Sequence, residues 1–536
     1  VPDLEHASGL PRRAEPIPQR LSKGAVTHRA LLPQELSADT PQANFGNSAI
    51  HGNLRTRRAF LQSQPQEPPR HGLGIIDLMP RDCLGNALSA ASPGILRAID
   101  DFIGGFLAYE QRAERIVGAA DEAADCCIAN VYAGFLWMLL EAPSGAGCAA
   151  PYLAAAARTA PDATRREQLN AAVLRAWIAD DVPGALRACS QVTDEFPRDL
   201  VILKIEQYLE FNRGDFPAML RAALKVLEQN ADVAYVHGMA AFAYEECQLL
   251  GDAERAARRA LDLERKEPWA QHALAHVMLT QGRIEEGARF LESVAPTWTD
   301  LNSFMITHLW WHAALFDLSR GRFARALEIY DRHCWGVAKE YSQDQVGAVS
   351  LLSRLEIAGI DVGQRWQDLA DHLAARAEDT VQPFLTLQYL YGLARAGRAE
   401  ARTLLEAVRQ RADSAPAHAR EVWREVVLPA SEGLHAYARH DYDRAWRELG
   451  RAMPRMIEAG GSHAQRDFFE QILLDAAMAG GRLSAAQQTL ELRRAADPDG
   501  VPVNTALAGV YEKLGLATLA AEARARAAAT RDRHRE

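Results

Sequence analysis

The chain has 536 residues, 48% of them hydrophobic and 24% charged, a composition that can bury a core and excludes both a minimal module and a disordered polymer. Lys and Arg total 60 against 70 Asp and Glu, a net charge of −10, so no bulk field draws the chain to nucleic acid or anionic lipid, and neither is expected as a partner. Cys83, Cys126, Cys127, Cys148, Cys189, Cys247 and Cys334 show no CxxC spacing, and the longest nearly unbroken apolar run, residues 128–140, is too short to cross a bilayer. These features predict a cytoplasmic, disulfide-free protein with no membrane span.

Residues 1–70 carry nine of the 25 prolines and sustain neither a period of 2 nor one of 3.6, which predicts an irregular extension that wraps the domain or is mobile. From about Ser92 the pattern is helical and stays so to the C-terminus. Residues 71–180 read as an N-terminal helical region, 181–455 as an array of helical hairpins, and 456–536 as a helical cap. The array follows from internal spacing. Gly184-Ala185 and Pro197, then Gly214-Asp215-Phe216, stand where a 34-residue tetratricopeptide repeat places its small residues, closing proline and turn glycine. Gly251-Asp252, Gly282-Arg283, Gly321-Arg322 and His440-Asp441 continue the phase loosely, each expected to turn the chain into a second helix. The fold class expected is all-α, an α-solenoid of degenerate tetratricopeptide-like hairpins with an inner surface open to ligands.

Histidine placement is the most informative local feature. Five of the 16 His lie within residues 237–312, about twice an even spread. His272 and His276 are spaced i, i+4, as are His308 and His312, so each pair shares one helical face. The pairs are 36 residues apart at both positions, about one repeat. His237 lies one repeat earlier and Asp344 one repeat later, which extends the row. Neutral imidazoles with a carboxylate suit a divalent transition metal, with Fe, Mn, Co and Zn not distinguished. The candidate ligands are therefore His237, His272, His276, His308, His312 and Glu246, with Glu245 and Asp344 as orienting groups or alternative ligands. Tyr235, Phe242, Trp269, Trp310 and Trp311 are candidate walls of a flat pocket beside the metal, although aromatics at helical spacing also serve as inter-repeat core. Trp310 and Trp311 point about 100° apart, so one of them at most faces the His surface. His463 and Arg466, in Gly460-Gly461-Ser462-His463-Ala464-Gln465-Arg466-Asp467, are further candidate substrate contacts. Ser462 there reads as a helix N-cap, with Arg466 and Asp467 as a structural pair.

Several blocks together resemble the tetratricopeptide repeat protein 38 family. They are Arg81-Asp82-Cys83-Leu84-Gly85-Asn86, Phe196-Pro197-Arg198-Asp199-Leu200, Glu245-Glu246, Trp269-Ala270-Gln271-His272-Ala273-Leu274-Ala275-His276, His308-Leu309-Trp310-Trp311-His312, Tyr330-Asp331 and the Gly460–Asp467 stretch. The likeness runs from about residue 80 to 495. It implies an all-helical fold but no reaction. The chain is also similar to a bacterial subgroup encoded with toxoflavin-type azapteridine biosynthesis, which implies a metal-dependent, oxidative step on a pteridine-like small molecule. One departure is Phe384-Leu385-Thr386-Leu387-Gln388, where the family is expected to carry an Asp and a His.

Two functions are thus expected to compete. One is a metal-dependent oxidoreductase acting on a planar heterocycle. The other is a scaffold whose groove binds a peptide or protein without catalysis. A small-molecule substrate is the partner expected from the His and aromatic lining, with homo-oligomerisation left open.

Overall fold

Hairpins of two helices succeed one another along the chain in this computed structural model, which describes residues 79–89 and 91–534. The extension expected over residues 1–70 lies outside the described residues. Among those described no β-strand forms, and two isolated bridges, Arg81 with Ala87 and Glu110 with Leu301, are the only extended pairings. No helix among them is long and apolar enough to cross a membrane. The all-α, helical-hairpin expectation is met.

Local chemistry sets the hairpin turns. Gly214, Gly282 and Gly321 adopt φ of 70°, 66° and 76°, the left-handed region that a Cβ disfavours. Asp215 then caps the helix Phe216–Leu227, its carboxylate accepting from the Ala218 N–H at 3.0 Å, and Asp441 caps Tyr442–Ala452 in the same way. Other turns use a residue besides glycine, as Asp180 does at φ 56° between the helices Arg165–Ile178 and Val182–Glu195. Between the helices Ala234–Glu246 and Leu250–Leu263 the left-handed residue is Gln248, with φ 61°, and Gly251 falls inside the second helix. His440, with φ 62°, takes the same role before Asp441.

The two helices of a hairpin are buried differently. Second helices such as Leu250–Leu263 bury one small-residue stripe, Ala253, Ala257 and Ala260, against the helix before them. First helices are enclosed on nearly all sides: in Pro268–Thr280 every residue from Ala270 to Met278 is buried, and Ser342–Ile357 buries Leu351, Leu352 and Leu355 completely. Each such leucine removed from water contributes about 2 kcal/mol.

That enclosure corrects the expectation of an open inner surface. A Cβ on Gly214 would collide with the Ile457 carbonyl, one on Gly282 with the Ala496 carbonyl, and one on Gly321 with the Val501 side chain. The turns of the middle hairpins therefore press directly on residues 457–501, whose helices fold back over the first helices of the array. Arg354 fixes the same closure by donating to the Ala464 carbonyl at 2.8 Å. Two of the sequence blocks that carry the family resemblance also meet each other. Arg166 bridges Asp82 at 3.1 Å and Asp199 at 3.0 Å, and Arg198 donates to the Leu84 carbonyl at 3.0 Å.

Candidate metal centre

The two His pairs sit on first helices of adjacent hairpins, Pro268–Thr280 and Ser303–Ser319. The first starts with Pro268 at its N-terminus and the Glu267 carboxylate capping the Trp269 and Ala270 N–H groups; the second starts with Asn302 capping the Met305 N–H. Four-residue spacing then stacks each pair, and the 36-residue repeat brings the pairs face to face. Ring centroids lie 4.5 Å apart for His272 and His276, 4.8 Å for His272 and His308, and 4.5 Å for His276 and His312. His272, His276 and His312 are at most 1% exposed, and His308 is 9% exposed.

Three nitrogens converge. His308 Nε2 lies 3.0 Å from His272 Nε2 and 3.3 Å from His312 Nε2. A neutral imidazole carries one ring proton, so the single proton at His308 Nε2 could satisfy one of these contacts and not both. His272 Nδ1, His276 Nε2 and His312 Nδ1 are buried with no hydrogen-bond partner, at a cost of about 1–3 kcal/mol for each unsatisfied polar atom. Burial and the neighbouring imidazoles push the His272 and His312 pKa values well below the ordinary range, and burial, then His276, pushes His308 down to about 3. These rings are therefore neutral, the form that ligates metal. Metal–nitrogen bonds of about 2.0–2.1 Å at tetrahedral angles place neighbouring nitrogens about 3.3–3.4 Å apart, and octahedral angles place them about 3.0 Å apart. The observed 3.0 and 3.3 Å separations match such edges. All four rings offer a nitrogen within 4.8 Å of one another.

A carboxylate side adjoins the imidazoles. Glu245 Oε2 lies 3.1 Å from His276 Nδ1, and its other oxygen takes a short contact from His463 Nε2. Glu246 accepts the His463 backbone N–H at 3.1 Å and faces the Arg466 guanidinium at 3.6 Å. Burial opposes the charge on Glu245, but His276 and His463 outweigh it and hold the carboxyl down at about 2. Burial raises the Glu246 carboxyl. At His463 burial is likewise opposed by the Glu245 charge, and the pKa is pushed up to about 9. His463 reaches this place because Gly460 and Gly461, with φ of 85° and 79°, turn the chain tightly beside Asn212 and Phe384. Ser462, the N-cap that the sequence predicts, then caps the helix His463–Ala479 in a capping box with Gln465.

The other expected residues divide between the walls of the cluster and places away from it. His237 is not in the cluster: its ring turns back to the Ala231 carbonyl, 3.0 Å from Nε2, and the Phe242 ring packs on His272 and His276 instead, at 5.2 and 5.6 Å. Asp344 is a buried loop pin, accepting from Ser303 at 3.0 Å, Thr307 at 3.1 Å and the Ala338 N–H at 3.1 Å. Its carboxyl is raised to about 6 by burial. Trp269 stacks on His272 at 4.4 Å and Trp311 on His308 at 5.3 Å. Trp310 faces away, stacked on His333 at 4.1 Å. Tyr235 is half-buried, and burial, then the charges of Glu267 and Glu110, raises its hydroxyl to about 12. Arg466 and Asp467 do not pair with each other, since Arg466 serves Glu246 while Asp467 binds Arg493 at 2.5 Å. His463, which the sequence marks as a substrate contact, stands instead among the ligand-type side chains.

No family model matches the chain. Among solved structures it is similar to a human IFIT1 dimer with PPP-AAAA, at 12% identity and TM-score 0.36, covering 77% of this chain and 94% of that one. It is also similar to Naa15/Naa10 bound to HypK-THB, at 13% identity and TM-score 0.23, covering 80% of this chain and 68% of that one. A third is the TPR domain of P58(IPK), at 13% identity and TM-score 0.20, covering 68% and 92%. The likeness is one of helical-repeat architecture. The partner assignment, a small molecule with nucleic acid excluded on net charge, is withdrawn: the net charge of −10 sums the whole chain and excludes no local patch, and the similar structures include one with PPP-AAAA and one bound to HypK-THB.

Proposed function

We propose that this helical-repeat protein is a metalloprotein whose transition metal is held by His272, His276, His308 and His312. The observation that carries the reading is the convergence of three Nε2 atoms at 3.0 and 3.3 Å in a buried cluster whose protons cannot satisfy it. The donor set fits a borderline divalent ion such as Zn, Co, Fe or Mn. His276 is the best-oriented ligand: Glu245 lies against Nδ1 and leaves the unpartnered Nε2 for the ion. Trp269, Trp311 and Phe242 wall the imidazoles and exclude water, which strengthens any interaction with a buried charge. A bound ion would supply Lewis-acid or redox chemistry there. The oxidative step and azapteridine substrate implied by the family resemblance find no support in the residues around the site and form no part of this reading.

A second reading is a scaffold that binds a protein or peptide without catalysis, with the ion as a structural clamp between adjacent hairpins. The helical-hairpin architecture supports it, and the enclosure of the first helices confines any docking surface to the outer faces. Both readings place an ion among the four imidazoles. The test is elemental analysis of the purified full-length chain beside His272→Ala and His312→Ala. The expected result is a stoichiometric transition metal in the parent and, in both variants, loss of the ion that the four imidazoles hold. A parent that carries none and takes none up on reconstitution overturns the proposal.

A further inference from the structure

The four-imidazole group is not the only set of ligand-type atoms in this wall. Glu245, Glu246, His276 and His463 also offer one donor atom each within 4.8 Å of one another, and His276 belongs to both sets. Its two nitrogens divide between them. Nδ1 faces the carboxylate side, 3.1 Å from Glu245 Oε2 and 3.4 Å from His463 Nε2. Nε2 is buried without a partner and remains for the other imidazoles.

We propose that the centre is dinuclear, with a second divalent transition metal held by Glu245, Glu246 and His463 and with the His276 ring bridging the two ions. This inference rests on the four-His reading and extends it. Three observations carry it. First, the 3.1 and 3.4 Å separations around His276 Nδ1 are again the edges expected between neighbouring ligand atoms on an ion with bonds of about 2.0–2.2 Å. Second, Glu245 is fully buried, yet its Oε2 accepts no hydrogen bond although it lies beside a ring nitrogen. Third, Thr280 Oγ1 stands 3.4 Å from both Glu245 Oε1 and His463 Nε2, which closes the far side of the subsite with a polar group and not an apolar wall.

The two subsites differ in chemistry. The first has nitrogen donors only. The second adds two carboxylates, which bring the negative charge that the first lacks and favour harder ions. Bridging through one ring requires His276 to give up its ring proton to solvent on loading, and both nitrogens then donate to metal. Arg466, 3.6 Å from Glu246, and the His463 backbone N–H hold the Glu246 carboxylate in place. Arg466 is thus a positioning residue and not a ligand. An ion pair of His463 with Glu245 is the competing account of the same contacts, and it predicts one ion per chain.

Metal stoichiometry separates the accounts. The full chain is stripped with chelator, reloaded with Co²⁺ and measured by mass spectrometry; the expected result is two ions per chain in the parent and one in His463→Ala, with Glu246→Gln as an independent variant that also falls to one. Thermal melting confirms that each variant is folded. Copper loading gives a second readout: a bridged pair couples magnetically, so the integrated electron paramagnetic resonance signal should fall far below the total copper in the parent and match it in His463→Ala. One ion per chain in the parent, unchanged in both variants and with a full copper signal, overturns the dinuclear proposal while leaving the four-His reading intact. No uptake at all overturns both.

Discussion

Two polar clusters are buried in the same helical array, and they are satisfied very differently. Glu141, 4% exposed, lies after the helix Cys127–Met138 and gathers residues from three distant parts of the chain. Tyr208 donates to it at 2.8 Å, Ser342 at 3.0 Å, Gln343 at 2.5 Å and Gln382 at 3.3 Å. Both carboxylate oxygens are filled by protein. The four imidazoles, walled by aromatic rings and on the His276 side by Glu245 and His463, keep three unpartnered nitrogens and a three-way Nε2 contact that protons cannot resolve. A buried polar group complete within the protein is a structural hub; one left incomplete at a stability cost points to something that completes it.

The largest effect that could break this contrast is on metal affinity. The double variant His272→Ala/His312→Ala should lose roughly a thousandfold or more in affinity, ~4 kcal/mol, as read by competition with a chromogenic chelator. Next comes Glu141→Ala, which strands four donors and should destabilise the chain by about 3 kcal/mol without changing metal content; thermal melting with metal analysis checks both halves. A sharper version pairs Glu141→Leu with His272→Leu in metal-free protein. The first should lower the melting temperature, and the second should leave it unchanged or raise it, because an apolar side chain replaces a buried ring whose Nδ1 has no partner and whose Nε2 competes with His312 for His308. Smaller still is Ser462→Ala, which removes the cap that starts the His463 helix and should cost about 1 kcal/mol. His237→Ala should change neither metal content nor stability by more than about 0.5 kcal/mol, since its ring serves only a loop carbonyl.

These contrasts also show which parts of the molecule were legible in the sequence. The i, i+4 His pairs and their 36-residue offset predict a shared face, and the rings do meet. The capping residue Ser462 follows from local rules in the same way, as does the limit that one of Trp310 and Trp311 at most faces the cluster, though not which one. His237 fails because a repeat period aligns helices and not ring directions. It is the fourth residue of Ala234–Glu246, close enough to the preceding loop to bond Ala231, and Phe242 takes the inner position. Asp344 fails for a similar reason, as hydroxyls of Ser303 and Thr307 claim its oxygens. Least legible is the meeting of His463 with His276, 187 residues apart. It depends on the last hairpins folding back onto the middle of the array, and no periodicity encodes that closure. Gly214 and Gly282 hold the local signal for it, because each admits a carbonyl from the returning chain, but in the sequence they read only as turn glycines.

X-ray absorption at the metal edge of the reconstituted protein tests the central claim most directly. The account predicts a first shell of nitrogen neighbours at about 2.0–2.1 Å, with the outer-ring scattering of several imidazoles, lost in His272→Ala/His312→Ala. A shell of oxygens alone with no imidazole scattering, or a spectrum unchanged in that variant, would contradict it.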